Sequence, residues 1–114
     1  MAIIFKIIDA AADEAASLTG QFAGAEIDLK DGHIHFSTAA QVAETAKRHF
    51  AGRSNLMLWA IEADGLGTAL KWEASRGGQL FPHLYATLDM SHVIWAKPLP
   101  WDGTAHVFPA EVIA

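Results

Sequence analysis

The chain has 114 residues, a length that predicts one domain around one core and excludes a multidomain machine, a full-size α/β barrel or a two-domain dehydrogenase. Apolar types make up 52 % of the residues and charged types 18 %, enough to bury a core and unlike a disordered tail. Eight Lys and Arg against 13 Asp and Glu leave a net charge of −5 with no basic cluster, which argues against nucleic-acid phosphates and anionic lipid as partners, and the lack of cysteine excludes disulfides, thiolate nucleophiles and Cys-ligated zinc.

Ile3 to Ile8, rich in Ile and Phe, reads as a buried strand that opens the sheet. Interrupted by Lys6, it is too short for a signal peptide or a membrane span, and no other window approaches about 18 uninterrupted apolar residues, so the expectation is a soluble, cytoplasmic protein. Asp9 or Asp13 is placed to cap an alanine-rich helix that stops at Gly20. An irregular segment follows, through the Asp31-Gly32 turn.

From His33 to Ser37 the alternation of a strand puts His33, His35 and Ser37 on one face and Ile34 and Phe36 on the other. Thr38 and Gln41 have capping-box spacing, and Ala39, Val42, Ala43, Ala46 and Phe50 repeat at helical intervals, so a helix runs to about Phe50 and stops at Gly52. Leu56 to Ile61 is continuously apolar, the pattern of a central strand covered on both faces. Ala69 to Glu73 reads as a short strand and Ser75 to Gln79 as a glycine loop. Phe81 to Tyr85 then forms an ordered turn stiffened by Pro82, and Val93 to Lys97 and Ala105 to Phe108 are two last strands. Two helices among about six short strands predict an α+β domain with a split, mixed sheet.

Two clusters carry chemistry. On the first strand, His35 and Ser37 share a face and reach one polar ligand, or else Ser37 only caps the helix that follows. Adding His33 makes a His-x-His pair, which with His83 and a carboxylate such as Asp31 or Glu73 has the composition of a metal shell. No acidic residue follows between Phe36 and Gln41 as a cupin would have it, and no metal ligand is assigned. His35-Phe36-Ser37 is also half of the paired motif of two-histidine phosphoesterases, but no second copy exists. The other cluster runs from Trp72-Glu73 to Tyr85 and gathers a carboxylate, rings and an imidazole suited to a planar ring and ribose hydroxyls. His49 suits the negative end of a helix dipole, and His33, His92 and His106 receive no role.

The segment Asp31-Gly32-His33-Ile34-His35-Phe36-Ser37-Thr38 with Gln41, together with His49 to Gly52, Trp72-Glu73 and Phe81-Pro82-His83-Leu84-Tyr85, resembles the small bacterial domain-of-unknown-function 952 family over Ile3 to Pro98. The resemblance implies a fold like that of the ADP-ribosyltransferases and RNA 2′-phosphotransferases, with a cleft for NAD or an ADP-ribosyl group. It further implies that His35, Ser37, Thr38, Phe81 and Tyr85 contact the ligand. Glu73, assisted by His35 and His83, is then the group that stabilises the oxocarbenium-like charge as the glycosidic bond breaks. The family usually has an aromatic where this chain has His33. The Glu-x-Glu and Ser-Thr-Ser motifs of arginine-specific transferases are missing, and with Arg48, Arg53 and Arg76 as the only arginines, a pyrophosphate would lean on the backbone amides at Thr38. The expected function is therefore NAD or ADP-ribosyl nucleotide binding, with cleavage or transfer at the nicotinamide ribose; the alternatives are a non-catalytic small-molecule or peptide module and, third, a histidine metal site.

Overall fold

The structure, a computed structural model, describes residues 2–112 and, of Arg76, the backbone alone. Among the described residues eight strands and three α-helices follow one another as β1 (Ile3–Asp9), α1 (Ala10–Thr19), β2 (Gln21–Phe22), α2 (Glu26–Asp31), β3 (Ile34–His35), α3 (Ala39–His49), β4 (Leu56–Glu62), β5 (Leu70–Ser75), β6 (Gln79–Leu84), β7 (Leu88–Asp89) and β8 (Val93–Pro98). They make three antiparallel sheets in the orders β1-β4-β8, β2-β7 and β3-β6-β5. This is a small α+β domain, with one helix and two strands more than the sequence predicts and with antiparallel rather than mixed pairing among the described residues.

The sheet β1-β4-β8 divides the core in two, and strand alternation decides which residue goes where. Ile4 and Ile8 of β1 with Trp59 and Ile61 of β4 meet Ala16 of α1, Phe22, Ile34, Phe36, Leu84 and Leu88. Phe5 and Ile7 with Leu56, Leu58 and Ala60 meet Val42 and Ala46 of α3, Leu99 and Val112. The continuous apolar run of β4 is thus covered on both sides, as its lack of alternation requires. Lys6, on the Ile4 and Ile8 side, is also buried, and its ammonium ends on the carboxylate of Asp28.

The helix ends follow capping rules. Asp9 accepts the Ala12 N–H at 2.8 Å, and Gly20 closes α1 at φ +77°, a conformation that favours glycine. Asp13, the other predicted cap, instead accepts the Trp59 indole N–H at 2.7 Å. In α3 the Gln41 side chain accepts the Thr38 N–H at 3.0 Å and donates to the Leu80 carbonyl at 2.8 Å, so one amide both caps the helix and ties it to β6. Gln41→Ala should therefore lower unfolding stability by about 1 kcal/mol, read as an earlier urea midpoint with an unchanged slope.

Three local expectations are corrected. The segment read as irregular contains α2; its side chains invert the usual helix pattern, with Asp28 buried and Ile27 and Leu29 exposed, so no apolar periodicity announces it. Phe81-Pro82-His83 is no turn but the body of β6, where Pro82 faces Trp72 of β5 and its carbonyl accepts the Phe36 N–H at 3.0 Å. Ala105 to Phe108 forms only the bridge Trp101↔His106, because Asp102 turns the chain by accepting the N–H groups of Thr104 and Ala105 at 2.8 Å.

The sheets β1-β4-β8 and β3-β6-β5 touch edge to edge at one pair of residues. Phe5 and Ser37 exchange both backbone hydrogen bonds, at 2.8 and 2.9 Å, and the strands part on either side.

Candidate functional site

The histidine cluster is a product of strand register. In β3 and β6 the residues Ile34 and Leu84, and His35 and His83, stand directly opposite one another. Both imidazoles therefore lie on one face, and His33, two residues before His35, joins them. Across β5, Glu73 pairs with Phe81 and Lys71 with His83, which sets the Glu73 carboxylate diagonal to His83 on that face. Residues up to 50 positions apart in sequence are thus brought together by two antiparallel ladders.

The rings are in mutual contact. His33 stacks on His83 with centroids 4.1 Å apart and planes 26° from parallel, lies 4.5 Å from His35 and 5.0 Å from the Tyr85 ring. His35 meets His83 edge-on at 5.3 Å. Each of the latter two is held by a carboxylate. His35 Nδ1 lies 2.6 Å from Asp28 Oδ1, and His83 Nδ1 lies 2.8 Å from Glu73 Oε1, an oxygen that also accepts the Tyr85 hydroxyl at 2.7 Å. His35 Nε2 is 3.0 Å from Asp31 Oδ2. The Nδ1 of His33 is buried and has no hydrogen-bond partner.

Asp28 organises this arrangement from below. Its carboxylate accepts the Lys6 ammonium at 2.9 and 3.0 Å, the Ala25 N–H at 2.8 Å and the His35 N–H at 3.1 Å, in addition to the His35 ring. Burial works to raise its pKa, but the His35 bond, the Lys6 charge and the Ala25 N–H together hold the carboxyl well below the usual carboxylate range. Burial pushes the Lys6 ammonium down against the pull of Asp28. Burial also lowers His33, helped by the neighbouring His83 and His35 and opposed by Glu73 and Asp31. The Tyr85 and His83 bonds lower Glu73, and the Glu73 bond raises the Tyr85 phenol.

Where the two sheets part, an open cleft of about 1100 Å³ runs along β1 and is lined by His35, Ser37, Phe81 and His83 among the expected ligand contacts. Phe5, Phe36 and Phe81 form its buried wall, Phe50 offers a partly open ring, and its charged lining is of both signs, with Lys30, Arg48 and Arg53 beside Asp9, Glu26 and Asp31. The three cations are not visible as a cluster in the sequence because they come from α2, α3 and the loop behind α3. His33 and Tyr85 open instead onto a second hollow of about 310 Å³ with Gly32 and Thr87, so the histidine cluster forms the ridge between the two.

The remaining expected contacts take other positions. Phe81 is buried in the wall, with no open face for stacking, and Tyr85 is on the far side of the ridge. Glu73, beside His83 on the same sheet face, is outside the cleft lining. Ser37 is buried and bonds the Thr45 hydroxyl at 3.0 Å, and the Thr38 N–H, one of the amides at this helix start, is taken by Gln41. Sequence reasoning missed Asp28 and Lys6. The signal was present, since a lysine inside an otherwise apolar buried strand demands a buried anion.

No described helix is long and apolar enough to cross a membrane. The fold matches the crystal structure of Protein CC0527 from Caulobacter crescentus with a TM-score of 0.93 at 43 % identity, covering 98 % of this chain and 99 % of that one. A double-mutant form of CC0527 gives the same TM-score at 42 % identity over the same shares of the two chains. The solution NMR structure of CC0527 gives 0.83 at 47 % identity over 93 % of this chain and 91 % of that one. No curated protein matches. Residues 7–96 match the model of the family described as Protein of unknown function (DUF952), and the chain belongs to that family.

Proposed function

We propose that the cleft along β1 is an ADP-ribosyltransferase-like site that binds NAD or a related ADP-ribosyl nucleotide. The observation that carries this reading is the composition of the cleft where the two sheets split: an aromatic wall, three cations among its charged lining residues, and two imidazoles each bonded to a carboxylate. A dinucleotide asks for those features: rings against apolar surface, a pyrophosphate against Lys30, Arg48 and Arg53, and ribose hydroxyls against fixed polar side chains. His35 and His83 supply the last, each oriented by its carboxylate bond. In this reading Phe50, with the Arg53 guanidinium 5.2 Å from its ring centroid, takes the ring contact expected of Tyr85 or Phe81.

If bond cleavage follows binding, charge develops at the nicotinamide ribose, and this reading assigns its stabilisation to the Glu73 carboxylate, which lies beside His83 on the same sheet face and is lowered in pKa by its Tyr85 and His83 bonds. Titrating NAD and ADP-ribose into the chelator-treated protein should move backbone amides of residues 33 to 37 and 79 to 83 together. The absence of any shift at millimolar nucleotide overturns the proposal. Release of free nicotinamide by the wild type, reduced about hundredfold or more in Glu73→Gln, marks the site as catalytic; equal silence from both assigns a binding module.

A further inference from the structure

We propose that His33, His35 and His83 form a binding site for one divalent transition-metal ion, on the ridge between the two hollows. One nitrogen from each of the three side chains falls within a mutual separation of 4.8 Å. Metal–imidazole bonds of about 2.0–2.1 Å ask for nitrogens a little over 3 Å apart in a tetrahedral shell, so the widest pair closes by at most about 1.5 Å, a rotation of the partly exposed His33 and His35 rings toward the buried His83.

Three independent features favour an ion over a merely packed cluster. His35 and His83 each give their Nδ1 to a carboxylate, Asp28 at 2.6 Å and Glu73 at 2.8 Å. This leaves Nε2 as the ligating atom and is the outer-shell arrangement that fixes a ligand imidazole in metal sites. The third ring carries a buried Nδ1 with nothing to bond, a loss of about 1–3 kcal/mol that a ligand in the cluster would remove. Asp31, whose Oδ2 stands 3.0 Å from His35 Nε2, is positioned to supply a fourth, oxygen ligand. Three imidazoles and a carboxylate suit Zn²⁺, Co²⁺ or Ni²⁺ rather than Mg²⁺ or Ca²⁺. Because His35 and His83 also line the cleft, a bound ion would sit at its edge. The metal reading does not depend on the nucleotide reading, since each is tested in the absence of the other ligand.

The test is titration of metal-free protein with Co²⁺, without nucleotide. One equivalent should bind with a dissociation constant in the micromolar range or tighter and give the visible bands of a low-coordinate nitrogen site. The ring resonances of His33, His35 and His83 should shift or broaden while those of His49, His92 and His106 stay. His33→Phe preserves a ring against His83 and Tyr85 and leaves no orphaned nitrogen; it should remain folded and lose the visible bands. Glu73→Gln should weaken binding about 10- to 100-fold. Weak uptake of more than one equivalent, equal in wild type and His33→Phe, overturns the proposal and assigns adventitious binding to surface histidines.

Discussion

Replacing Asp28 by asparagine should lower the stability of this domain by about 3–5 kcal/mol. The asparagine is nearly isosteric, so the loss is electrostatic: the Lys6 ammonium stays buried inside β1 with its counter-charge gone, and one amide oxygen cannot serve the four donors that the carboxylate serves. Small domains have only about 5–15 kcal/mol in all. Lys6→Met should be milder, because Asp28 keeps the Ala25 and His35 N–H groups and the His35 ring, and the methionine fills the lysine's path through the core. The order of the two variants in urea midpoint is the measurement. A midpoint for Asp28→Asn at or above that of Lys6→Met contradicts this account of the pair.

The same carboxylate sets an acid limb. Its folded pKa is depressed, so the stabilisation is complete above the ordinary aspartate range and is lost as pH falls through that range toward the lower folded value. Asp28→Asn should flatten that limb of the stability profile, while neutral-pH differences persist.

Trp59→Ala should have an effect of similar size, about 3–5 kcal/mol. Trp59 is fully buried in the middle strand β4, and its ring meets Phe22 edge-on with centroids 5.0 Å apart and planes at 88°. Truncation removes that contact, opens a cavity among Ile4, Ile8 and Ile61, and leaves the Asp13 carboxylate without the indole N–H. Trp59→Phe should fall well between wild type and alanine, since most apolar volume returns and only the bond to Asp13 is lost. Thermal or urea unfolding of the pair checks both; equal losses would show that the hydrogen bond, rather than packing, carries the site.

The elements that the sequence makes legible are those whose burial follows a period. Leu56 to Ile61 is apolar throughout because both faces of β4 are covered, and α3 shows its stripe because one face meets β1. His33 and His35 are also legible, as strand residues of one parity, whereas Phe81 to Tyr85 reads as a turn because Pro82 masks its strand, and the meeting of the histidines depends on the β3 and β6 pairing, which local pattern does not encode. α2 is hidden for the opposite reason. Its buried residue is an aspartate serving Lys6, 22 positions earlier, and its leucine and isoleucine face solvent. The charged margin of the cleft, which carries both signs, is equally hidden, being assembled from separate elements.

The contact between Phe5 and Ser37 has a mechanical corollary. Among the described residues, two direct backbone hydrogen bonds join one ladder edge to the other, with the Lys6–Asp28–His35 bonds beside them, whereas each ladder is internally cross-linked along its length. Breathing of the molecule should therefore concentrate at this seam, with Phe5 and Ser37 exchanging their amide protons sooner than Leu58 or Trp59. A gap that widens there admits bulkier guests while the register that aligns His35 with His83 stays intact.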